Sequence, residues 1–155
     1  MRAVVQRVNR AEVGIDTGTI ASIGRGLCVL LAAGPTDTSS LARHMAERVA
    51  ALRIFGDDAG RMNLDARAVG AQILVVSQFT LYADLSRGHR PSFVKAAAPE
   101  FAAQLCDEFA AGVRAAGLEV ATGRFGAHMQ VELVNDGPVT IVLSSGEPAW
   151  PADAG

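Results

Sequence analysis

The stretch LCVLLAA, Leu27 to Ala33, decides the fold, because it holds seven consecutive apolar residues and no polar side chain. A strand that is apolar on both faces is typical of the centre of a sheet that is covered on both sides. Seven residues are too few for a buried helix, and Gly34 and Pro35 mark the end of the run. We therefore predict a buried central strand, and we assign the other elements outward from it.

Three shorter β-like runs precede the central strand. They are Ala3 to Val8, Ala11 to Asp16 and Thr19 to Ile23. Asn9-Arg10 and Thr17-Gly18 separate these runs, and Asn and Gly are frequent in turns. The pattern predicts a meander of short hairpins.

Two helices are predicted, each with one apolar face. The first follows Asp37 and Thr38, either of which can cap it, and the second begins at Pro99 and ends at Gly117. The apolar positions are Leu41, Met45, Val49 and Leu52 in the first helix, and Phe101, Leu105, Phe109 and Val113 in the second. This spacing predicts helices that lie against a sheet.

The remaining strands are predicted between and after the helices. A loop with the sequence GDDAGRMNLD, residues 56–65, leads to a second buried strand at Ala71 to Val76. Short strands follow the second helix at Val120 to Thr122, Gln130 to Val134 and Val139 to Leu143.

The Gly-Pro pair within NDGPVT, Asn135 to Thr140, interrupts the last two of these strands. Proline cannot donate to a β-ladder and glycine weakens one, so the pair costs sheet stability. It therefore indicates a turn, a bulge or a site that needs this backbone shape.

The composition indicates a compact globular chain of one domain. A chain of 155 residues buries roughly two thirds of its unfolded surface, and 50% of these residues are hydrophobic while 19% are charged. The formal net charge of -2 argues against binding nucleic acid through bulk charge, because such binding neutralises many phosphates at once. Any contact with RNA must therefore be local.

Several absences in the sequence bear on location and cofactors. Cys28 and Cys106 lack a CxxC spacing and are interpreted as small core residues in a reducing compartment. The chain shows no signal peptide, and no apolar run approaches the ~20 residues of a membrane span. We predict a cytoplasmic protein without membrane association, with a domain at residues 1–145 and a loosely held tail at residues 146–155.

Familiar catalytic motifs are absent from the sequence. It contains no HExxH, no GxSxG, no phosphate-binding Gly-rich loop and no Cys or His cluster with metal-ligand spacing. His44, His89 and His128 lie in different predicted elements, with no sequence reason to converge. We predict neither a metal nor a cofactor.

The segment SQFT, Ser77 to Thr80, ends the second buried strand with two hydroxyls, an amide side chain and several backbone N–H groups. Sites usually lie where polar groups leave the edge of a sheet. These groups can bind a carbonyl oxygen or an amine without any charge. The alternative is that Ser77 and Thr80 only satisfy nearby backbone groups.

A basic loop follows with the sequence RGHRPSFVK, Arg87 to Lys95, and no acidic residue occurs from Leu85 to Pro99. Such a run is usually a solvated loop. Its functional interpretation is a small phosphate-binding surface, in which Arg87, Arg90 and an aromatic such as Phe93 receive the end of an RNA strand.

These motifs together resemble those of the D-aminoacyl-tRNA deacylase family. The resemblance runs from Met1 to about Leu143 and is carried, in order, by AVVQRV, ALRIFGD, VVSQFTLYAD, RPSF, TGRFGA and VNDGPVT. The short turn at Thr17-Gly18, a trimmed loop from Gly34 to Thr38 and the tail beyond Ser145 depart from the family pattern. None of these departures touches SQFT or GPVT.

The resemblance implies an α+β fold, in which two main helices pack on a barrel-like, mostly antiparallel sheet. It also implies a homodimer whose active site lies at the subunit interface and takes the 3′-terminal aminoacyl-adenosine of a mischarged tRNA. The implied reaction is ester hydrolysis, which releases a D-amino acid, or glycine mischarged on tRNA(Ala), and leaves L-aminoacyl-tRNA intact. The implied role is chiral proofreading in translation.

The resemblance also assigns the site residues. Catalysis falls to Ser77, Gln78, Phe79 and Thr80, and substrate binding to Gly137, Pro138, Val139 and Thr140, together with Arg87 and Arg90 of the basic loop. The Gly137-Pro138 peptide is implied to be cis and to project into the partner's pocket. There its carbonyl oxygens would exclude the side chain of an L-amino acid by steric contact, while glycine would pass.

Two mechanisms and two other function classes remain open. Backbone N–H groups around Gln78 to Thr80 and a positioned water can suffice for an activated ester, with help from the ribose 2′-OH. Alternatively, Thr80 is a covalent nucleophile, although no base lies near it in sequence. A non-catalytic RNA-binding barrel, or an acyl hydrolase that uses Thr80 on small esters, would each explain only part of the motif set.

Overall fold

A computed structural model describes residues 1–16 and 18–145 of the chain. Its strands are β1 (Arg2–Ile15), β2 (Gly18–Ile23), β3 (Gly26–Ala32), β4 (Phe55–Gly56), β5 (Met62–Leu64), β6 (Gln72–Ser77), β7 (Glu119–Thr122) and β8 (Gln130–Ser144). Its helices are α1 (Ser39–Ala50), a short 3-10 helix (Phe79–Tyr82) and α2 (Pro99–Ala115). The proposed tail at residues 146–155 lies outside the described residues.

The main sheet has six strands and wraps into a nearly closed barrel, as the predicted fold class requires. Its order is β2-β1-β3-β6-β7, and β8 pairs with the other side of β1. The pairs that involve β1 are antiparallel, whereas β3 with β6 and β6 with β7 are parallel. Parallel neighbours need long crossovers, and α1 and α2 lie within these two connections.

The central strand is confirmed as β3, which spans Gly26–Ala32. Its side chains alternate between two apolar clusters: Leu27, Val29 and Leu31 belong to the larger cluster with α1 and α2, and Cys28 belongs to the smaller cluster. The uninterrupted apolar run therefore reflects a strand that is covered on both faces.

The predicted break at Asn9-Arg10 is wrong, because β1 runs without interruption from Arg2 to Ile15. Its first half pairs with β3 and its second half pairs with β2, so Asn9 and Arg10 lie where the strand changes neighbours. The register with β8 also shifts there. Instead of the predicted meander, the second half of β1 forms a hairpin with β2, and the first half of β1 pairs with β3.

The two predicted strands around Gly-Pro are likewise a single strand, β8. Asn135 pairs with Val8 and Thr140 pairs with Gln6, so residues 136–139 lie opposite Arg7 alone. The Gly-Pro pair therefore forms a large bulge within a continuous strand, and we call residues 136–139 the bulge.

Both predicted helices are present with their predicted caps. The Thr38 hydroxyl accepts a hydrogen bond from the Leu41 backbone N–H at 3.2 Å, whereas Leu52 lies beyond the end of α1. Pro99 begins α2, and Gly117 follows its end with φ +86°.

The predicted loop at residues 56–65 contains a short hairpin, which the sequence analysis missed. β4 pairs with β5, and Asp57 closes the turn because its Oδ1 accepts from the backbone N–H groups of Ala59 and Arg61, both at 2.9 Å. The Asp side chain, rather than alternating hydrophobicity, directs this hairpin.

Within the described residues, no helix combines the length and the apolar character needed to cross a membrane.

Candidate active site

A pocket of about 460 Å³ opens at the carboxyl ends of β3 and β6. Its walls come from the ends of these strands, the segment after β6, the start of α2 and the loop between β7 and β8. Its lining residues include Ser77, Gln78, Phe79, Phe93, Cys106, Phe125 and His128. The carboxyl edge of parallel strands is a common position for a ligand site.

The SQFT segment forms one wall of this pocket. Ser77 is the last residue of β6 to pair with β3, and the Gln78 backbone N–H continues the ladder by donating to the Leu31 carbonyl at 2.8 Å. The chain then turns into the 3-10 helix at Phe79. Thr80 is exposed and is not among the lining residues; its hydroxyl accepts a hydrogen bond from the Gln78 side-chain amide.

Two backbone donors in this segment are available for a ligand. The N–H groups of Phe79 and Thr80 have no acceptor within the described part of the chain, because they begin the 3-10 helix. The Gln78 N–H is different, since it is already used by the Leu31 carbonyl. Of these three N–H groups, those of Phe79 and Thr80 are therefore free to bind an oxygen atom of a ligand.

Three phenylalanines make the pocket strongly aromatic. The rings of Phe79 and Phe93 meet edge to face with centroids 4.9 Å apart, and Phe79 and Phe125 remain 55% and 40% exposed. Aromatic faces that remain open to solvent are suited to stacking with a nucleobase. Sequence reasoning named Phe93 but gave no role to Phe125, although its motif TGRFGA was part of the resemblance.

The three histidines do not converge. His128 lines the pocket, His89 lies in the exposed basic loop and His44 lies on α1. The pocket position of His128 was not predicted. Its only sequence signal is that it follows Phe125 in the same loop.

Cys106 also lines the pocket. Burial, with a smaller contribution from Asp107, raises the pKa of its thiol to about 11. A thiol with such a pKa stays protonated near neutral pH and is a poor nucleophile. Within the described residues, no group of three or more His, Cys, Asp or Glu side chains is placed to hold a metal ion.

The basic loop is closed at its base by backbone pairing. Asp84 and Ser92 exchange two hydrogen bonds of 2.8 and 3.0 Å. Lys95 pairs with Asp84 at 2.8 Å, and this contact is the largest cause that holds the pKa of the Asp84 carboxyl well below its usual range. Arg87 and Arg90 are exposed and have no ion-pair partner within the described residues. The free positive charge of the loop thus lies on these two arginines rather than on Lys95.

The GPVT segment lies elsewhere in the single chain. Gly137 and Pro138 are exposed in the bulge, the peptide between them is cis as the resemblance implies, and none of the four residues lines the pocket. The Thr140 hydroxyl accepts from the Asn135 side-chain amide at 3.0 Å, and the Val139 N–H donates to Asn135 Oδ1 at 3.0 Å. One chain therefore does not bring SQFT and GPVT together.

Arg7 holds the bulge against the rest of the fold. Its Nε lies 3.0 Å from Asp136 Oδ2, and its guanidinium also donates to the Ile54 carbonyl. Gly137 has φ +125°, and a Cβ there would lie 2.8 Å from Val139 Cγ2 and 3.2 Å from Arg7 Nη2. Both the backbone conformation and the space at this position require glycine.

Comparison with known proteins gives consistent matches over nearly the whole chain. The family model for D-Tyr-tRNA(Tyr) deacylase matches residues 4–144. D-aminoacyl-tRNA deacylase of Chloroflexus aurantiacus is 54% identical over 155 residues, which cover 100% of this chain and 97% of that protein. D-aminoacyl-tRNA deacylase of Roseiflexus sp. is 56% identical over 145 residues, which cover 94% of each chain.

A solved structure supports the same assignment at the level of the fold. The c-Myc DNA unwinding element binding protein superimposes with a TM-score of 0.88 at 40% identity, covering 95% of this chain and 100% of that one. The match to the family model over residues 4–144 and the identity to two curated relatives confirm the resemblance that the motifs indicate. The chain belongs to the D-Tyr-tRNA(Tyr) deacylase family.

Proposed function

We propose that the protein hydrolyses the ester bond of D-aminoacyl-tRNA, the activity for which its curated relatives are named. The observation that carries this proposal is the aromatic pocket bounded by Ser77 to Phe79, in a chain that is similar to those relatives over its full length. The released products are the free D-amino acid and tRNA. The role is proofreading during translation in the cytoplasm.

The two available backbone donors provide the chemistry that ester hydrolysis needs. When water attacks an ester, negative charge develops on the carbonyl oxygen, and the N–H groups of Phe79 and Thr80 can stabilise it. The ester of an aminoacyl-tRNA is already activated, so orientation and a positioned water supply much of the remaining rate. The ribose 2′-OH of the substrate can assist this water.

The contacts of Thr80 support this route over a covalent one. A threonine nucleophile needs an adjacent base, but the hydrogen-bond partner of the Thr80 hydroxyl is the side-chain amide of Gln78, which is not a base. Thr80→Ala and Ser77→Ala should therefore lower the rate only partly and keep the preference for D substrates. Trapping an acyl-enzyme by acid quench in the wild type would contradict this mechanism.

The basic loop is suited to contact the phosphates near the 3′ end of tRNA. Arg87 and Arg90 are exposed and unpaired within the described residues, so they can bind phosphate oxygens without breaking an existing ion pair. Replacing both with Ala should weaken tRNA binding and reduce the salt dependence by roughly one unit of log slope per lost contact. Arg67→Ala is the matched control, because Arg67 is occupied by Asp65 at 2.8 Å. Loss of D over L selectivity with unchanged binding would instead place Arg87 and Arg90 inside the pocket.

A second copy of the chain completes the site in this proposal. GPVT lies outside its own chain's pocket, and β8 pairs only with β1 within the described residues, which leaves its other edge open. Val131, Val134 and Val142 of β8 are also exposed, the last by 69%. In a homodimer, the bulge of one subunit enters the pocket of its partner and excludes L side chains, while glycyl-tRNA passes.

Mixing two defective variants tests this composite site. Thr80→Ala and Gly137→Ala homodimers, each slow alone, should exchange subunits and restore about one functional site in four, because half of the sites in each heterodimer are intact. Mixing with no gain in rate, although subunit exchange is demonstrated, would contradict a pocket shared between subunits. A fully active monomer in sedimentation experiments would contradict it as well.

The proposed activity is tested by incubating the protein with D-tyrosyl-tRNA and measuring released D-tyrosine. Tight filter binding without turnover would favour a non-catalytic RNA-binding barrel. Hydrolysis of p-nitrophenyl acetate at a rate comparable to that of aminoacyl-tRNA would favour a general acyl hydrolase.

A further inference from the structure

The 3-10 helix that carries two of the four SQFT residues, Phe79 and Thr80, has no buried residue of its own and no side-chain hydrogen bond at its N-cap. Short 3-10 helices have poor hydrogen-bond geometry and need support from their surroundings. We propose that Arg2, Tyr82 and Asp37 form a contact network that positions this helix, and that they are positioning residues for the reaction. This inference rests on the proposed function, because it assigns the network to that same site.

Arg2 makes two contacts with the end of the 3-10 helix. Its Nη1 donates to the Leu81 carbonyl at 2.7 Å, and its guanidinium lies 4.6 Å from the centre of the Tyr82 ring. The first contact binds a backbone group that the helix end leaves without a partner. The second is a cation–π interaction with the next residue. One side chain of β1 thus fixes both the backbone and the last side chain of the helix.

Tyr82 connects the helix to the loop that follows β3. Its hydroxyl packs so closely against Gly34 that a Cβ there would be 2.8 Å from the oxygen. Burial, with a smaller contribution from the nearby Asp37 carboxylate, raises the pKa of Tyr82 to about 12. Asp37 is the one buried charged side chain among the described residues, and it accepts from the Gly34 N–H at 2.6 Å and from the Met1 α-amino group at 2.7 Å. Because Asp37 is fixed by these partners and in turn binds the Gly34 N–H, it holds in place the loop against which Tyr82 packs.

The network contacts the helix from outside the pocket. None of its three residues lines the pocket, yet the N–H groups of Phe79 and Thr80 belong to the same single turn that it holds. A small rotation of this turn would move both donors away from the developing oxyanion. Displacements of about 1 Å at a catalytic group can cost about a hundredfold in rate.

Turnover of D-tyrosyl-tRNA by matched variants tests the positioning role. Arg2→Ala should lower kcat by about ten- to a hundredfold with KM nearly unchanged, and Tyr82→Phe, which removes only the hydroxyl, should lower it less. Arg2→Lys keeps a charged donor and should recover most of the lost rate. Arg10→Ala is the control on the same strand, because Arg10 pairs with Glu132 at 3.1 Å, and its kcat should equal that of the wild type. An unchanged kcat in Arg2→Ala would overturn the proposal.

Hydrogen exchange provides a readout that does not depend on turnover. The Leu81 N–H donates to the Gln78 carbonyl and the Ala83 N–H donates to the Thr80 carbonyl, so these amides report on the order of the turn. In Arg2→Ala they should exchange faster while amides within α2 keep their rates. Unchanged exchange at Leu81 and Ala83 would overturn the network. A wild-type protein that hydrolyses no aminoacyl-tRNA would contradict the proposed function, while the exchange data would still decide whether the network orders the turn.

Discussion

Replacing Gly137 by alanine should strain the bulge in β8 in two separable ways. The backbone at Gly137 has φ +125°, a region that residues with a Cβ rarely adopt. The new Cβ would also lie 2.8 Å from Val139 Cγ2 and 3.1 Å from the Val139 backbone nitrogen. The side-chain methyl can rotate away, but the backbone nitrogen cannot, so the bulge itself must shift.

The size of the effect follows from these two contributions. An unfavourable backbone conformation costs about 1–3 kcal/mol, and overpacking at a close contact costs about 1–3 kcal/mol more. Because each kcal/mol lowers the melting temperature of a domain of this size by about 2–4 °C, Gly137→Ala should melt roughly 5–20 °C below the wild type. It should also slow the hydrolysis of every substrate, since the displaced bulge no longer fits its proposed position.

Gly88→Ala is the matched control for the contact. Gly88 has φ +128°, almost the same as Gly137, but a Cβ there would meet nothing within 4 Å. Differential scanning calorimetry of both variants therefore isolates the cost of the close approach. Equal melting temperatures for the two variants would refute the contact argument, and a Gly137→Ala protein as stable as the wild type would refute the argument from strain.

Two further predictions concern the helices and the pocket thiol. A Cβ at Gly112 of α2 would lie 2.8 Å from the Cβ of Ala46 of α1, so Gly112→Ala should push the helices apart and lose about 1–3 kcal/mol in urea unfolding. Gly56→Ala, which meets nothing within 4 Å, should change the free energy of unfolding little, and equal losses would contradict this reasoning. With its pKa of about 11, about a thousandth of Cys106 is thiolate at pH 8. As long as the pH stays below the pKa, this thiolate fraction should rise tenfold for each unit by which the pH increases. Mass spectrometry should accordingly show slow alkylation by iodoacetamide in the native protein and rapid alkylation in guanidinium chloride; rapid native alkylation at pH 8 would contradict the shift.

The elements that local pattern alone determines were predictable from the sequence. The apolar run of β3, the Thr38 cap of α1 and the spacing of Leu105, Phe109 and Val113 in α2 each depend on residues close together in the chain. The structure confirms all of them. Helix periodicity and uninterrupted apolar strands are local signals that tertiary contacts reinforce.

The continuity of β1 and β8 was not predictable in the same way. Asn9-Arg10 and the Gly-Pro pair carry the local signature of turns, but distant strands decide whether the chain turns there. β1 continues because β2 takes over from β3 as its neighbour, and β8 continues because it pairs with β1 on both sides of the bulge. Such pairing information is not contained in the segment itself.

Some residues of the candidate site could be found from the local sequence, and others are revealed only by the folded structure. Ser77 to Phe79 were found because polar residues directly follow a buried strand, which is a local feature. Phe125 and His128 were missed as pocket residues, since nothing in their segment indicates that the loop before β8 folds over the end of β6. Gly137 and Pro138 were named through resemblance, and their place in a site remains a proposal because they lie outside the pocket of their own chain.

The most direct test of the proposed function is a comparison of D- and L-tyrosyl-tRNA prepared on the same tRNA. Matching the tRNA leaves the configuration at Cα as the only difference, so the two time courses measure chiral selection itself. The purified protein, present in far smaller amount than the substrate, should release tyrosine from D-tyrosyl-tRNA. L-tyrosyl-tRNA should hydrolyse only at its spontaneous rate. Equal hydrolysis of both substrates would contradict steric exclusion by the bulge, and hydrolysis of neither would contradict the proposed enzymatic function.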